Sequence, residues 1–281
     1  MPESTLRPRP GRSARALLLT ILGEFVLPQG GSVWTSSVID GLTQLGIGER
    51  NSRQAVARLG DDGLLTAERV GRLTRWHLTD RAVRLLSDGT RRIYGFAADP
   101  PVWGRRWLVV IAPVPEDERS KRHQLRTRLG FAGFGFLGPA IAISPHVERE
   151  EAANEVLREL GLDDSAVVFV AETGTLVPDG QLIDRAWDLG DLAGRYRAFV
   201  HDFDRREVGD DASAFAAIVD LVHEWRRFPF DDPEIPADLL PVDWPAPIAK
   251  KVFDARRTAW LPAATRWFAG VEGSAGYSTS S

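Results

Sequence analysis

The stretch Glu49–Asp62 carries the pattern that most constrains this chain. Wound as a helix, it gathers Ser52, Ala55, Val56 and Leu59 on one side. Arg50, Arg53, Gln54, Ala57 and Arg58 lie toward or around the other. That arrangement leaves a cationic, polar face outward. The connection Gly46-Ile47-Gly48 precedes it, with glycines free to take the left-handed conformation. Two further helices come before that turn. The first starts at Ser13, whose hydroxyl serves as N-cap, and repeats Leu17, Leu18, Ile21, Leu22 and Phe25 at helical spacing. Pro28-Gln29-Gly30-Gly31 stops it, and the chain restarts at Ser32–Thr35 in a second helix to about Leu45. After the third helix, Leu64–Val70 and Leu73–Leu78 read as two strands around Gly71-Arg72. Thr79-Asp80 caps a fourth helix to about Arg92, with Ala82, Val83 and Leu86 inward.

Helices followed by a basic hairpin predict a winged helix-turn-helix over residues 13–96. In that arrangement the third helix enters a major groove. Arg50, Asn51, Arg53, Gln54 and Arg58 are its candidate DNA contacts, because Arg pairs bidentately with guanine and Gln with adenine. Arg69, Arg72 and Arg75 of the hairpin are candidates for phosphates or a minor groove. The competing expectation is a solvated surface of arginines. Order decides between them: turn, polar helix face and basic wing follow one another as DNA binding requires. Charge agrees. Residues 1–95 hold 14 Arg, no Lys and 9 acidic groups, whereas the remainder holds 21 basic and 30 acidic groups. A basic head on an acidic body suits a polyanion at the head only.

Residues 1–12, rich in Pro and Arg, read as a flexible arm, and Ala97–Pro101 breaks the pattern as a domain boundary. Trp107–Ala112 is a continuous apolar run that suits a strand buried on both faces. A helix over Asp117–Leu129, strands at Phe134–Leu137 and Ala140–Ile143, a helix over Glu148–Leu160 with Ala152, Val156 and Leu160 inward, and a strand at Val167–Val170 complete residues 102–175. That order is the split βαβ, ferredoxin-like plan, and this domain is the expected dimerisation element. Residues 180–269 read as a mainly helical domain: Leu182–Trp187, Leu189–Phe203, Asp210–Phe228, a Pro-rich extended stretch Phe228–Pro247, and Ile248–Phe268. Residues 270–281 read as a flexible tail. The fold class is therefore α+β in three domains.

Several functions are excluded. With no Cys and only 5 His, a thiolate metal site, a cysteine nucleophile and a histidine-rich zinc site are ruled out. No run approaches the roughly 20 apolar residues of a membrane span. Arg12, Arg15 and the run Ala16–Leu22 imitate a signal peptide, but Glu24 interrupts the run and no cleavage pattern follows, so a cytoplasmic location is expected. Gly133-Phe134-Gly135-Phe136-Leu137-Gly138 satisfies the dinucleotide spacing literally. It follows a helix and sits in strands, so close backbone packing is the better reading.

Specific segments carry a family resemblance. Ser13–Phe25, Gly31–Thr35 and Arg53–Leu59 with Asp62–Leu65 are similar to the opening, recognition helix and wing entry of the PaaX-type transcriptional repressors. Trp103–Trp107, Arg126–Gly135 and Ser144-Pro145-His146 resemble their central domain, which is like the small CRISPR-associated endoribonucleases. Arg185–Leu189, Glu224–Pro229 and Leu239–Pro245 resemble their C-terminal domain. The likeness spans residues 13–268 in matching order. It implies repression of a catabolic operon and release by an aryl-CoA thioester such as phenylacetyl-CoA; a non-enzymatic homodimer without a bound cofactor is expected, since DNA recognition usually takes two half-sites. Candidate effector contacts are His123, Arg126 and Arg128 for phosphates, and Trp187, Tyr196 and Trp225 for rings. For the aromatics, core packing is the competing and commoner fate. The alternative function is a metal-dependent nuclease on the central domain. Its usual acidic residue after the first strand is replaced by Pro113-Val114-Pro115, with Asp117 and Glu118 beyond.

Overall fold

The computed structural model describes residues 13–97 and 102–277; the expected arm at 1–12, most of the boundary at 97–101 and the last four residues lie outside them. Along the chain run α1 (Ala14–Ile21), a π-turn (Leu22–Val26), β1 (Ser32–Trp34), α2 (Thr35–Gln44), α3 (Glu49–Asp61), β2 (Leu65–Val70), β3 (Leu73–Leu78) and α4 (Asp80–Gly95). Next come β4 (Trp107–Ile111), α5 (Arg119–Phe131), β5 (Gly135–Phe136), β6 (Ile141–Ser144), α6 (Glu150–Glu159) and β7 (Val167–Ala171). The last part is helical: α7 (Asp179–Ala186), α8 (Leu189–Phe203), α9 (Asp211–Trp225), α10 (Phe228–Asp231) and α11 (Ala246–Tyr277). Contacts group the described residues into two units. The first comprises residues up to Gly95, His201–Arg226 and those from Lys251 on; the second comprises Phe96–Val200 and Arg227–Lys250. This grouping cuts across the three consecutive domains expected from the sequence.

The first unit is built on the stripe of α1. The Ser13 side chain accepts from the Ala16 amide and caps the helix, and Leu17, Leu18, Ile21, Leu22 and Phe25 are all buried. Their partners come from α2 and α3, and also from far along the chain. The Phe25 ring lies 4.9 Å from Phe215 of α9 and 5.3 Å from Phe268 of α11. Phe215 is fully buried, and its ring comes so near Gly41 of α2 that a Cβ there would stand 3.2 Å from it. The core of the amino-terminal helices is thus completed by residues 170 positions or more away. Asp210 and Ser213 cap α9 reciprocally in a capping box.

Three local expectations for this unit change. Ser32-Val33-Trp34 is a strand, not merely a restart: β1 pairs antiparallel with β3, making a three-stranded sheet of order β1-β3-β2. It is too short to show alternation, and the pairing of a buried Val33 and Trp34 decides it. Val83 faces solvent rather than the core, whereas Ala82 is buried and Leu86 half-buried. The expected tail at 270–277 is instead the last two turns of α11, where a Glu272 carboxylate accepts from the Trp34 amide at 3.2 Å.

The second unit holds a four-stranded antiparallel sheet of order β5-β6-β4-β7, with α5 and α6 on one face. Leu108, Val110 and Ala112 pack there with Leu125, Leu129, Ala142, Ala153 and Leu157. On the other face Trp107 and Ile143 pack with Ile183, Ile235 and Leu239. Two covered faces explain the continuous apolar run in β4, although its last residue, Ile111, stays exposed. On α6 the expected inward residues Val156 and Leu160 pack against this core, but Ala152 does not. Ala153 and Leu157 are buried and Val156 and Leu160 half-buried, a stripe at helical spacing that leaves Ala152 exposed.

Candidate nucleic-acid interface

The geometry of α3 follows from its ends. Gly46, at φ +78°, turns the chain between α2 and α3 at no steric cost. The helix then runs 13 residues, about 20 Å. Ser52, Ala55, Val56 and Leu59 are buried, and Arg50, Asn51, Arg53, Gln54 and Arg58 are all exposed on the remaining surface. Arg53 donates from Nε and Nη2 to one oxygen of Glu49, one turn earlier, at 2.9 and 2.7 Å. That pair holds the guanidinium along the helix and partly offsets its charge. Arg50 and Arg58 form no ion pair with any described residue, so their full charge faces outward.

The hairpin places Arg69 and Arg72 at its exposed tip, with Arg69 Nε donating to the Gly71 carbonyl at 3.3 Å. Arg75 differs. It is half-buried, its guanidinium stands 5.2 Å from the Trp34 ring centroid, and its Nε is buried without a hydrogen-bond partner. It is the hairpin arginine with a packing role. Thr35 locks the base of the sheet: its hydroxyl donates to the Thr74 carbonyl at 3.0 Å and accepts from Trp76 Nε1 at 3.0 Å. Neither that lock nor the Glu272 contact carried a local sequence signal, because the partners lie 39 to 238 residues apart.

A buried polar cluster braces the same unit. Glu24, in the π-turn, accepts from the Tyr94 hydroxyl and from Arg257 Nη2 at 3.3 Å, while Arg257 lies 4.3 Å from the Tyr94 ring centroid. Burial first, then the Glu24 carboxylate, pushes the Tyr94 phenol well above its ordinary range.

The six effector candidates are divided between the two units. Trp225 belongs to the first unit; it is fully buried, stacks on Phe253 at 4.7 Å and donates to the Ile93 carbonyl at 3.2 Å. Tyr196, in the second unit, is fully buried, stacked on Phe228 at 4.0 Å, with its hydroxyl donating to Asp232 at 2.6 Å. Trp187 packs on the sheet, its indole N–H buried without a partner. Trp225 and Tyr196 are core residues and Trp187 packs half-buried against a core, as ordinary aromatic burial favours. Arg128 is paired with Glu159 of α6. His123 and Arg126 are exposed on α5.

The glycine run serves packing. A Cβ on Gly135 would stand 2.5 Å from the Trp187 ring, and one on Gly133 would collide with Arg149. At the nuclease position, Glu118 pairs with Lys121. Among the described residues no group of three or more His, Asp or Glu side chains is placed to hold a metal ion, and no helix is long and apolar enough to cross a membrane.

Comparison with known proteins places each part. Residues 13–82 match the family model of the PaaX-like proteins, residues 100–183 that of the PaaX central Cas2-like domain, and residues 187–270 that of the PaaX-like C-terminal domain. The transcriptional repressor PaaX of Escherichia coli strain K12 is 28% identical over 251 residues, covering 85% of this chain and 78% of that protein. An uncharacterized protein of Mycobacterium tuberculosis shares the fold with a TM-score of 0.61 at 20% identity, over 94% of this chain and 99% of that one.

Proposed function

Since the chain belongs to the PaaX-like protein family, we propose that it is a non-enzymatic transcriptional repressor whose first unit binds duplex DNA as a winged helix-turn-helix. The observation that carries this reading is the outward face of α3, where five polar or cationic side chains stand opposite four buried ones, beside an arginine-tipped hairpin. In this reading Arg50, Asn51, Arg53, Gln54 and Arg58 meet base edges and nearby phosphates, and Arg69 and Arg72 meet the flanking backbone. The second unit, with its split βαβ strand order, is the ferredoxin-like element through which two copies pair, so that two recognition helices address two half-sites. The effector is an aryl-CoA thioester such as phenylacetyl-CoA, the operon a catabolic one and the setting the cytoplasm; the family resemblance supports these assignments. Release requires that the ligand bind better to the form that does not bind DNA. The nuclease alternative gains no support, since the curated relative is a repressor.

Fluorescence anisotropy with the full-length protein and duplexes from its own upstream region tests the DNA reading. Gln54→Ala should cost about 1–3 kcal/mol on the preferred site and relax selectivity at one base pair. Arg72→Ala should weaken all duplexes alike and lower the salt slope by about 1. An absence of salt-sensitive attraction to any duplex refutes the function. Equal operator affinity with and without saturating phenylacetyl-CoA refutes the effector.

A further inference from the structure

The start of α2 holds an anion brought from the far end of the chain. Its N-cap residue, Trp34, is extended and offers no side-chain cap, and the first turn carries no acidic residue. The acceptor is Glu272 of α11, both of whose carboxylate oxygens lie 3.2 Å from the Trp34 amide. A helix start carries about half a positive charge and outward N–H groups, which take a carboxylate or a phosphate alike. Arg75 adds a cation beside it. It stands opposite Trp34 in the β1–β3 register, with its guanidinium 5.2 Å from that ring centroid. Glu68, opposite Arg75 on β2, is paired with His77 at 2.6 Å, and no ion pair with a described residue neutralises Arg75.

The segment that brings Glu272 is a poor helix former. Gly270, Gly273 and Gly276 all fall in the last two turns of α11, and glycine inside a helix is several-fold less favourable than alanine. A Cβ on Gly270 or Gly273 would meet nothing within 4 Å, so close packing does not demand glycine at either position. A helix end of that composition opens at low cost. The place is also one that a duplex reaches. The Thr35 hydroxyl ties the first turn of α2 to the Thr74 carbonyl, next to Arg75. Arg72 at the hairpin tip is three residues away, about 10 Å along an extended chain, or the rise of about three base pairs.

We propose that the start of α2, with Arg75, is a backbone-phosphate site for duplex DNA and that Glu272 is its built-in competitor. In the free protein the carboxylate occupies the site. When a duplex docks, a phosphate takes that position and the glycine-rich end of α11 lets go. The inference rests on the DNA reading above and adds to it one contact and one restraint. Apparent affinity is then the affinity of the open form scaled by the open fraction. Weakening the Glu272 contact tightens DNA binding, and stiffening the end of α11 loosens it. A purely structural brace gives the opposite signs.

Fluorescence anisotropy of the full-length protein on an upstream duplex and on a scrambled duplex of equal length tests the site. Glu272→Gln should tighten both about fivefold, and alike, because a phosphate contact carries no sequence information. Gly273→Ala should loosen both about fivefold. Thermal melts verify the fold of each variant. Hydrogen exchange of the wild type should show residues 270–276 losing protection when either duplex is added. If a variant melts early, that wild-type result decides alone. Glu272→Gln binding no tighter than within twofold of the wild type, Gly273→Ala binding no weaker than within twofold, or residues 270–276 keeping or gaining protection overturns the competitor and leaves the DNA reading standing. If the wild type shows no salt-sensitive attraction to either duplex, the DNA reading and this site fail together.

Discussion

Phe215→Ala is the sharpest probe of how the first unit is held together, because it lies more than 150 residues beyond α3. The side chain is fully buried against Phe25, Phe268 and Trp267, with ring separations of 4.9, 5.8 and 4.4 Å. A phenylalanine of this kind removes on the order of 150–200 Å² from water, worth about 4 kcal/mol at roughly 25 cal/mol per Å². Alanine keeps a little of that, and the cavity left under Gly41 adds to the cost, so a loss of about 3–5 kcal/mol is expected. Against a total stability of about 5–15 kcal/mol, that is a large share of what folds the unit. Urea denaturation of the full-length protein gives the magnitude, and hydrogen exchange gives the place. Amides of α1, α2 and α3 should lose protection while those of β4, β6 and α6 keep theirs, and DNA affinity at 37 °C should fall with the folded fraction. A loss below about 1 kcal/mol, or equal deprotection of both units, would show that the amino-terminal helices close their own core and that the reasoning is wrong.

Three more perturbations follow from the same packing. Glu24→Ala should cost about 3–5 kcal/mol in chemical denaturation, since it strands the half-buried Arg257, whereas Tyr94→Phe should cost only about 1 kcal/mol; equal effects would dissolve the cluster as a unit. Burial raises the Asp232 carboxyl above its ordinary value. Its protonated form is then favoured on folding, so the contribution is full below about pH 3.9 and is lost as pH rises through the raised value. Stability measured from pH 4 to 8 should therefore fall less steeply in Asp232→Asn than in the wild type, with the Tyr196 hydroxyl free to turn from donor to acceptor; parallel curves contradict the assignment. Gly135→Ala should destabilise by about 1–3 kcal/mol through collision with Trp187, and added NADH should leave the melting temperature of the parent protein unchanged. A stabilising nucleotide would restore the dinucleotide reading of the glycine run.

The candidate interface was largely legible beforehand. Arg50, Asn51, Arg53, Gln54 and Arg58 face outward because helical periodicity is a property of neighbouring residues, and the β2–β3 turn at Gly71-Arg72 is equally local. The effector candidates show where such reading stops. Trp225 and Tyr196 were chosen for their chemistry, but whether an aromatic ring lines a pocket or fills a core depends on neighbours such as Phe253 and Phe228.

Taken alone, the amino-acid order determined most of the helices and strands, though neither β1 nor the end of α11, and which side of α3 stays polar. All of these depend on residues within a few positions of one another. Only the folded molecule decided that Phe215 and Phe268 complete the core beneath α1, that Glu272 supports Trp34, and that Phe131 meets Phe230. Those choices rest on apolar burial between distant segments, which has no direction and no period along the chain, so that three-dimensional packing alone selects the partner.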